Sequence, residues 1–221
     1  MNEYDKRSSE GEGRTRVQVL LAAIAVACGL GAISVWGERA GVRVLTIVAN
    51  LASPWGLAAL VVGRLTSSMK RGAFAGALTL LVGMAAFYVL IPALYIHSAR
   101  EVVWTVAAMI VGPVMGSCGA RLTLCQEGVR SAAVVAPSAM LLAEATWVGT
   151  DRRVWLWNFR LEPYRLIDLA ILVALVALAF ALPLIFVKEP RRLPLIYFSC
   201  LVAGLIGATG FASLQWILLQ V

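Results

Sequence analysis

Leu166 to Val187 read LIDLAILVALVALAFALPLIFV, a stretch in which only Asp168, near one end, can carry a charge. Wound as an α-helix at about 1.5 Å per residue, it is long enough to cross a hydrocarbon core of about 30 Å. Working outward, six more stretches share this character. They run from Val17 to Trp36, Val44 to Gly63, Gly72 to Ile96, Val102 to Ala120, Ser131 to Val148 and Leu193 to Gln220. The last exceeds what a perpendicular span needs, so tilt or an overhanging end is expected. The 221 residues are 61% hydrophobic and 14% charged, with mean hydropathy +0.85. A soluble domain carries about 25% charged residues. Too little polar chain remains here to build a soluble shell. The expected fold is an all-α, polytopic transmembrane helical bundle of about seven spans, with six the alternative, forming one domain over residues 17–221.

Residues 1–16 are polar, mixed in charge and rich in Gly and Ser. They cannot bury an apolar face, so a disordered cytoplasmic tail is expected. Arg14 and Arg16 before an apolar run imitate a signal peptide, but no small-residue cleavage site stands out before Trp36, which points to a retained first helix. With the N-terminus in the cytoplasm, twelve of the 19 Lys and Arg fall in inside segments and seven outside. That bias favours N-in and C-out. Four of the outside seven (Arg152, Arg153, Arg160 and Arg165) share one loop, so a re-entrant fifth stretch would invert the downstream half.

The net charge of +7 sits at helix ends beside an apolar slab, where it meets anionic headgroups. Nucleic acid is not an expected partner; the lipid bilayer is. Cys28, Cys118, Cys125 and Cys200 have no CxxC spacing and read as small buried residues. His97 is the only histidine. Multi-histidine metal sites are therefore excluded, and no metal or other cofactor is expected. There is no Walker A sequence. A membrane enzyme ranks third among the readings, because no set of nucleophile, base and oxyanion donors can be assembled.

Glu144 lies in AMLLAEATWV, residues 139–148, with no neighbouring base. An ionised carboxylate at the bilayer centre costs about 3 kcal/mol on insertion scales. Such a group faces the bundle interior, pairs with a cation or stays protonated. One reading is a substrate or proton site. The other places it near the outer headgroups, tied to Arg152 or Arg153. Asn50, Ser53, Pro54 and Trp55 form a second cluster, where Pro54 frees the carbonyl of Asn50 and a kink with an amide and an indole is expected. The cluster reads either as a pocket wall or as a packing kink. Asp151 to Arg165 alternates aromatics with arginines, as an interfacial belt does. The sharper reading is a lid in which Arg152, Arg153 or Arg160 meets an anionic ligand. Asp168 and Glu101, the nearest acids by depth, sit at helix ends.

Gly72 with Gly76, and Gly112 with Gly116, draw small-xxx-small faces, and Gly204, Gly207 and Gly210 draw a stripe along the last stretch. These are expected helix contact surfaces. Gly112-Pro113 is also where a discontinuous, substrate-binding helix is conceivable.

The run from Asn50 to Tyr88 carries an ANxxxPW start, a short basic turn and RGAxAGAxxLxxxxxxxY. With Gly112-Pro113, Gly116 and Glu144, it resembles a family of uncharacterised bacterial multi-pass membrane proteins known only as a domain of unknown function. The resemblance implies a membrane fold and no established activity. A second likeness is to the substrate-capture subunits of energy-coupling-factor vitamin transporters. It rests on Leu21 to Ala27 (LAAIAVA) and Arg71 to Gly76 (RGAFAG), and the seventh helix departs from that pattern. It implies an Ala-rich first helix that docks a coupling subunit and a pocket opening outward near Trp55, Glu144 and Trp147.

The leading functional expectation is small-solute binding or permeation in the cell membrane, of the bacterial inner-membrane kind. Its pocket would use Asn50, Trp55, Tyr88, Glu144 and Trp147, with Arg152 or Arg160 at the mouth. A gradient or a membrane partner subunit would drive it. The competing expectation is a scaffold without a ligand of its own, whose Gly-rich faces seat another membrane protein or a second copy.

Overall fold

The computed structural model describes residues 3–49, 51–90, 98–124, 127–151 and 163–218. Among the described residues there are helices and turns and no strand. The helices are α1 (Glu3–Arg39), α2 (Arg43–Ala49), α3 (Ala52–Arg64), α4 (Met69–Leu90), α5 (Ser98–Leu124), α6 (Glu127–Ala133), α7 (Val135–Asp151), α8 (Pro163–Phe186) and α9 (Leu193–Leu218). A short 3-10 turn, Pro190–Arg192, leads into α9. Among the described residues, six stretches are long and apolar enough to cross a membrane: Val17–Gly37, Met69–Leu90, Val102–Thr123, Glu127–Thr150, Leu166–Phe186 and Pro190–Gly210. The protein is an all-α polytopic bundle.

The second expected span differs. Residues 44–63 are split into α2 and α3 by an extended Leu51 (φ −79°, ψ 142°). Pro54 is the reason. It stands in the first turn of α3, where its missing N–H costs nothing, whereas in a continuous helix it would clash with the carbonyl one turn earlier. The expected kink is thus a full interruption. Gly112-Pro113, by contrast, leaves α5 unbroken. The α6–α7 break has the same cause as the α2–α3 break: Pro137 would meet the carbonyl of Ala133, where α6 ends. The polar leader also departs from expectation. α1 extends back to Glu3, because lengthening a helix already nucleated by its apolar part adds a hydrogen bond for each residue fixed.

Contacts between loops sort the helix ends. Arg39 donates to the carbonyl of Leu90 (2.8 Å), so the end of α1 meets the end of α4. At the opposite end the Arg64 guanidinium lies over the Phe186 ring (5.0 Å), Arg121 reaches the Met69 sulfur (3.0 Å) and the Lys188 amide donates to Glu127 (2.6 Å). That second end gathers Arg64, Lys70, Arg71, Arg121, Arg130, Lys188, Arg191 and Arg192.

α7 is central. In the stretch Glu127–Thr150, 61% is buried, against 22–33% in the other five. Leu141, Ala145 and Val148 pack with Leu60 and Met115 and with Ile171, Leu172 and Leu175 of α8. Beside this core, α3, α4 and α5 touch backbone to backbone. A Cβ on Gly72 would stand 2.6 Å from the Gly116 carbonyl, and one on Gly112 would stand 2.8 Å from Ala77 Cα. A Cβ on Gly63, Gly76 or Gly116 would overlap the facing backbone, and one on Gly119 would overlap Leu60. Lipid tails are as apolar as leucine, so helices in a bilayer gain from such close approach rather than from hydrophobic exclusion. Gly204 and Gly207 lie against Leu142 and Ala143 of α7, while Gly210, expected in the same stripe, faces open space. Cys118 and Cys200 are buried free thiols; Cys28, expected to be buried, is exposed. Cys125 lies outside the described residues.

Gly116→Ala should lower the melting temperature in detergent by several degrees. Overpacking costs about 1–3 kcal/mol, and each kcal/mol moves the melting temperature of a chain this size by about 2–4 °C. Gly29→Ala, whose Cβ would meet nothing within 4 Å, is the control and should show no loss. Equal melting of the two variants would contradict the close helix crossing.

Candidate functional site

The first residues of a helix carry amides with no partner inside the helix. Within a bilayer there is no water to take them. At the start of α3 every such group has a destination. The Leu51 amide donates to the carbonyl of Val48 (3.3 Å). Pro54 has no N–H. The remaining two, Ala52 N–H and Ser53 N–H (3.0 Å), donate to the two carboxylate oxygens of Glu144 on α7. Glu144 is 4% exposed and Ser53 2%.

The arrangement is a clasp between two helices. The start of α3 holds partial positive charge from its aligned peptide dipoles, and a carboxylate is favoured there. The Glu144 side chain turns into the bundle, onto the start of α3. Arg152 and Arg153, the partners expected if Glu144 sat near the outer headgroups, lie outside the described residues, as do Asn50 and Arg160.

Trp55 and Trp147 are partly buried and pack against the main core. A Cβ on Gly83 of α4 would stand 2.6 Å from the Trp55 ring, so this glycine makes room for the indole. Tyr88, further along α4, meets Phe87 edge to face at 5.6 Å. The structure therefore brings Glu144 together with residues 52 and 53, which the sequence reading did not single out as its partners. One signal was available: a serine-proline pair is a helix-start signal, with proline favoured in the first turn.

Asp168 stands near the start of α8, as expected, and is buried there (3% exposed), on the stripe of α8 that continues through Ile171, Leu172 and Leu175. Among the described residues no group of three or more His, Cys, Asp or Glu could hold a metal ion.

The chain belongs to a family of unknown function, DUF6518, whose model matches residues 10–215 and so runs from α1 into α9. No curated protein and no solved structure matches it.

If Glu144 is the acceptor for two buried amides, Glu144→Ala should cost about 1–3 kcal/mol for each amide left unsatisfied. Glu144→Gln keeps one side-chain carbonyl oxygen and should lose less. Thermal melting in detergent should rank wild type above Gln and Gln above Ala. An alanine variant as stable as wild type would remove the clasp from this account.

Proposed function

We propose that this member of the family binds a small solute or lets it permeate the cell membrane, with the Glu144 clasp at the heart of its site. The N-terminus and the arginine- and lysine-rich end of the bundle face the cytoplasm, the side where basic loops are retained. One observation carries the reading. A buried carboxylate meets an interrupted helix inside a membrane bundle, an arrangement that costs stability and is used where solutes or ions are handled.

The chemistry of the clasp narrows the class of solute. Its two halves are an anion-seeking helix start and a cation-seeking carboxylate. A solute with an acceptor group and a nearby cationic or N–H group can replace both contacts at once. Its carboxylate or carbonyl takes the amides of Ala52 and Ser53, while its ammonium donates to Glu144. A solute with only one of these groups leaves the other half of the clasp without a partner, at the cost of a buried unsatisfied group. Small zwitterions such as free amino acids, and small amides, therefore fit best. Trp55 and Trp147 offer apolar surface beside them. With no ATP-hydrolysing motif in the chain, movement would follow a gradient or a partner subunit.

A scaffold role is the second reading, and Gly210 favours it. This glycine opens toward empty space on α9, beside the exposed Leu205 and Ile206. A helix of another membrane protein could approach closely there.

Two measurements separate the readings. Melting of the purified protein should shift upward with at least one solute from a panel of amino acids and small amides, and Glu144→Gln should abolish that shift. No shift in wild type, or the same shift in the Gln variant, overturns the solute reading. A Cβ on Gly210 would meet nothing within 4 Å, whereas one on Gly207 would stand 3.1 Å from Ala143 Cβ. A scaffold should lose its co-purifying membrane partner in Gly210→Leu, and unchanged capture refutes that role.

A further inference from the structure

We infer that the turn between α8 and α9, together with the start of α6, binds one anionic phospholipid, and that Arg192 holds its phosphate. The lipid belongs to the leaflet that meets this end of the bundle. The site is separate from the Glu144 clasp, which lies toward the opposite end of α7.

An arginine at the end of a membrane helix ordinarily snorkels, its long side chain moving among water and headgroups. Arg192 is held instead. Pro190 opens the 3-10 turn Pro190–Arg192 with a fixed φ, and the Arg192 amide closes the turn on the Glu189 carbonyl (3.0 Å). Glu189 also takes the side chain, its carboxylate accepting from Arg192 Nε (2.5 Å). The guanidinium reaches Gly128 of α6, where an added Cβ would stand 2.8 Å from Nη1. A side chain at position 128 would therefore compete with it for space. α6 is fastened to the same turn, because the Lys188 amide donates to Glu127 (2.6 Å) and Glu127 pairs with Arg130 (3.5 Å). Turn, carboxylate and glycine thus fix the guanidinium before any ligand arrives, which lowers the entropy lost on binding.

The part of Arg192 left over suits a phosphate. Nε is engaged, whereas the two terminal amino groups donate no hydrogen bond to any described residue, and the side chain is 43% exposed. Two N–H donors in one fixed plane match two oxygens of a phosphodiester. The surrounding charges choose the headgroup. Arg130, Lys188, Arg191 and Arg192 stand against Glu127 and Glu189, and both carboxylates are already engaged. A choline or ethanolamine headgroup would add a cation where no acid is left to receive it; phosphatidylglycerol brings its phosphate without one. Beyond Arg192 on α9, Leu195, Phe198 and Val202 follow at helical spacing, and all three are exposed. From residue 192 to 202 the helix rises about 15 Å, one leaflet of a hydrocarbon core of about 30 Å. This face of α9 therefore presents a cation and then an apolar strip, the order of groups in a phospholipid.

The test uses the full chain in a neutral detergent, with phosphatidylglycerol, phosphatidylcholine of the same acyl chains, or inorganic phosphate added. By native mass spectrometry, phosphatidylglycerol should be retained at about tenfold lower concentration than phosphatidylcholine, as a hydrogen bond to a charged group allows. Arg192→Gln should abolish that preference. Gly128→Leu removes no charge but fills the place of the guanidinium, and should weaken the preference several-fold. Lys70→Gln removes an exposed cation elsewhere at the same end of the bundle and should leave it intact. Each variant is its own control, because both lipids are compared on one preparation. Equal retention of the two lipids by wild type, or an unchanged preference in Arg192→Gln or Gly128→Leu, would overturn the site. An equal loss in Lys70→Gln would also overturn it, by reducing it to a diffuse basic surface. So would a melting shift with inorganic phosphate as large as with phosphatidylglycerol, the mark of a site for free anions.

Discussion

Two backbone amides at the start of α3, with no partner inside their own helix, impose the central constraint on this structure. Interrupting a helix inside a bilayer strands donors that must find acceptors in the protein. Here one side chain accepts both, and it comes from the most buried helix of the bundle. Pro54 and Glu144 are therefore interdependent. The proline dictates where α3 starts and removes one donor from the problem, and the glutamate takes the rest. Either residue read alone suggests something different: a kink in one case, an uncompensated charge in the other.

The clasp works because the rest of the bundle holds α3 still. Gly63, Gly72, Gly76, Gly112, Gly116 and Gly119 let three helices meet at their backbones, which fixes the position of α3 against α4 and α5. α7 then lies against that unit and delivers Glu144. α2 is excluded from the arrangement. It has no glycine of its own at a crossing and leans on α1, where Gly37 accommodates the Leu45 carbonyl.

Much of this was legible in the sequence, for reasons that differ from element to element. The bundle was evident from apolar runs such as Leu166 to Val187, since length and polarity alone decide whether a helix can cross a membrane. The small-residue faces at Gly72/Gly76 and Gly112/Gly116 were legible as spacing, but their partners were not; which backbone each glycine meets is a property of the assembled helices. Glu144 stood out because it is a lone acid in apolar surroundings. Its acceptors' counterparts did not, because they are main-chain amides, and a main-chain amide has no letter in a sequence. Asp168 was legible as a residue near a helix end but not as a buried one, because Leu169 to Leu182 carries no hydrophobic period to mark which face of α8 turns inward.

Glu144 follows Ala52 by 92 residues and Ser53 by 91. A ribosome therefore releases the interrupted second segment long before the chain contains its acceptor. Throughout the synthesis of α4, α5 and α6 the start of α3 has no answering group in its own neighbourhood, and bare lipid is closed to it. The insertion machinery must shelter that segment, or leave it at the aqueous edge, until α7 emerges. The order of biogenesis is thus written into the distance between a proline and a glutamate.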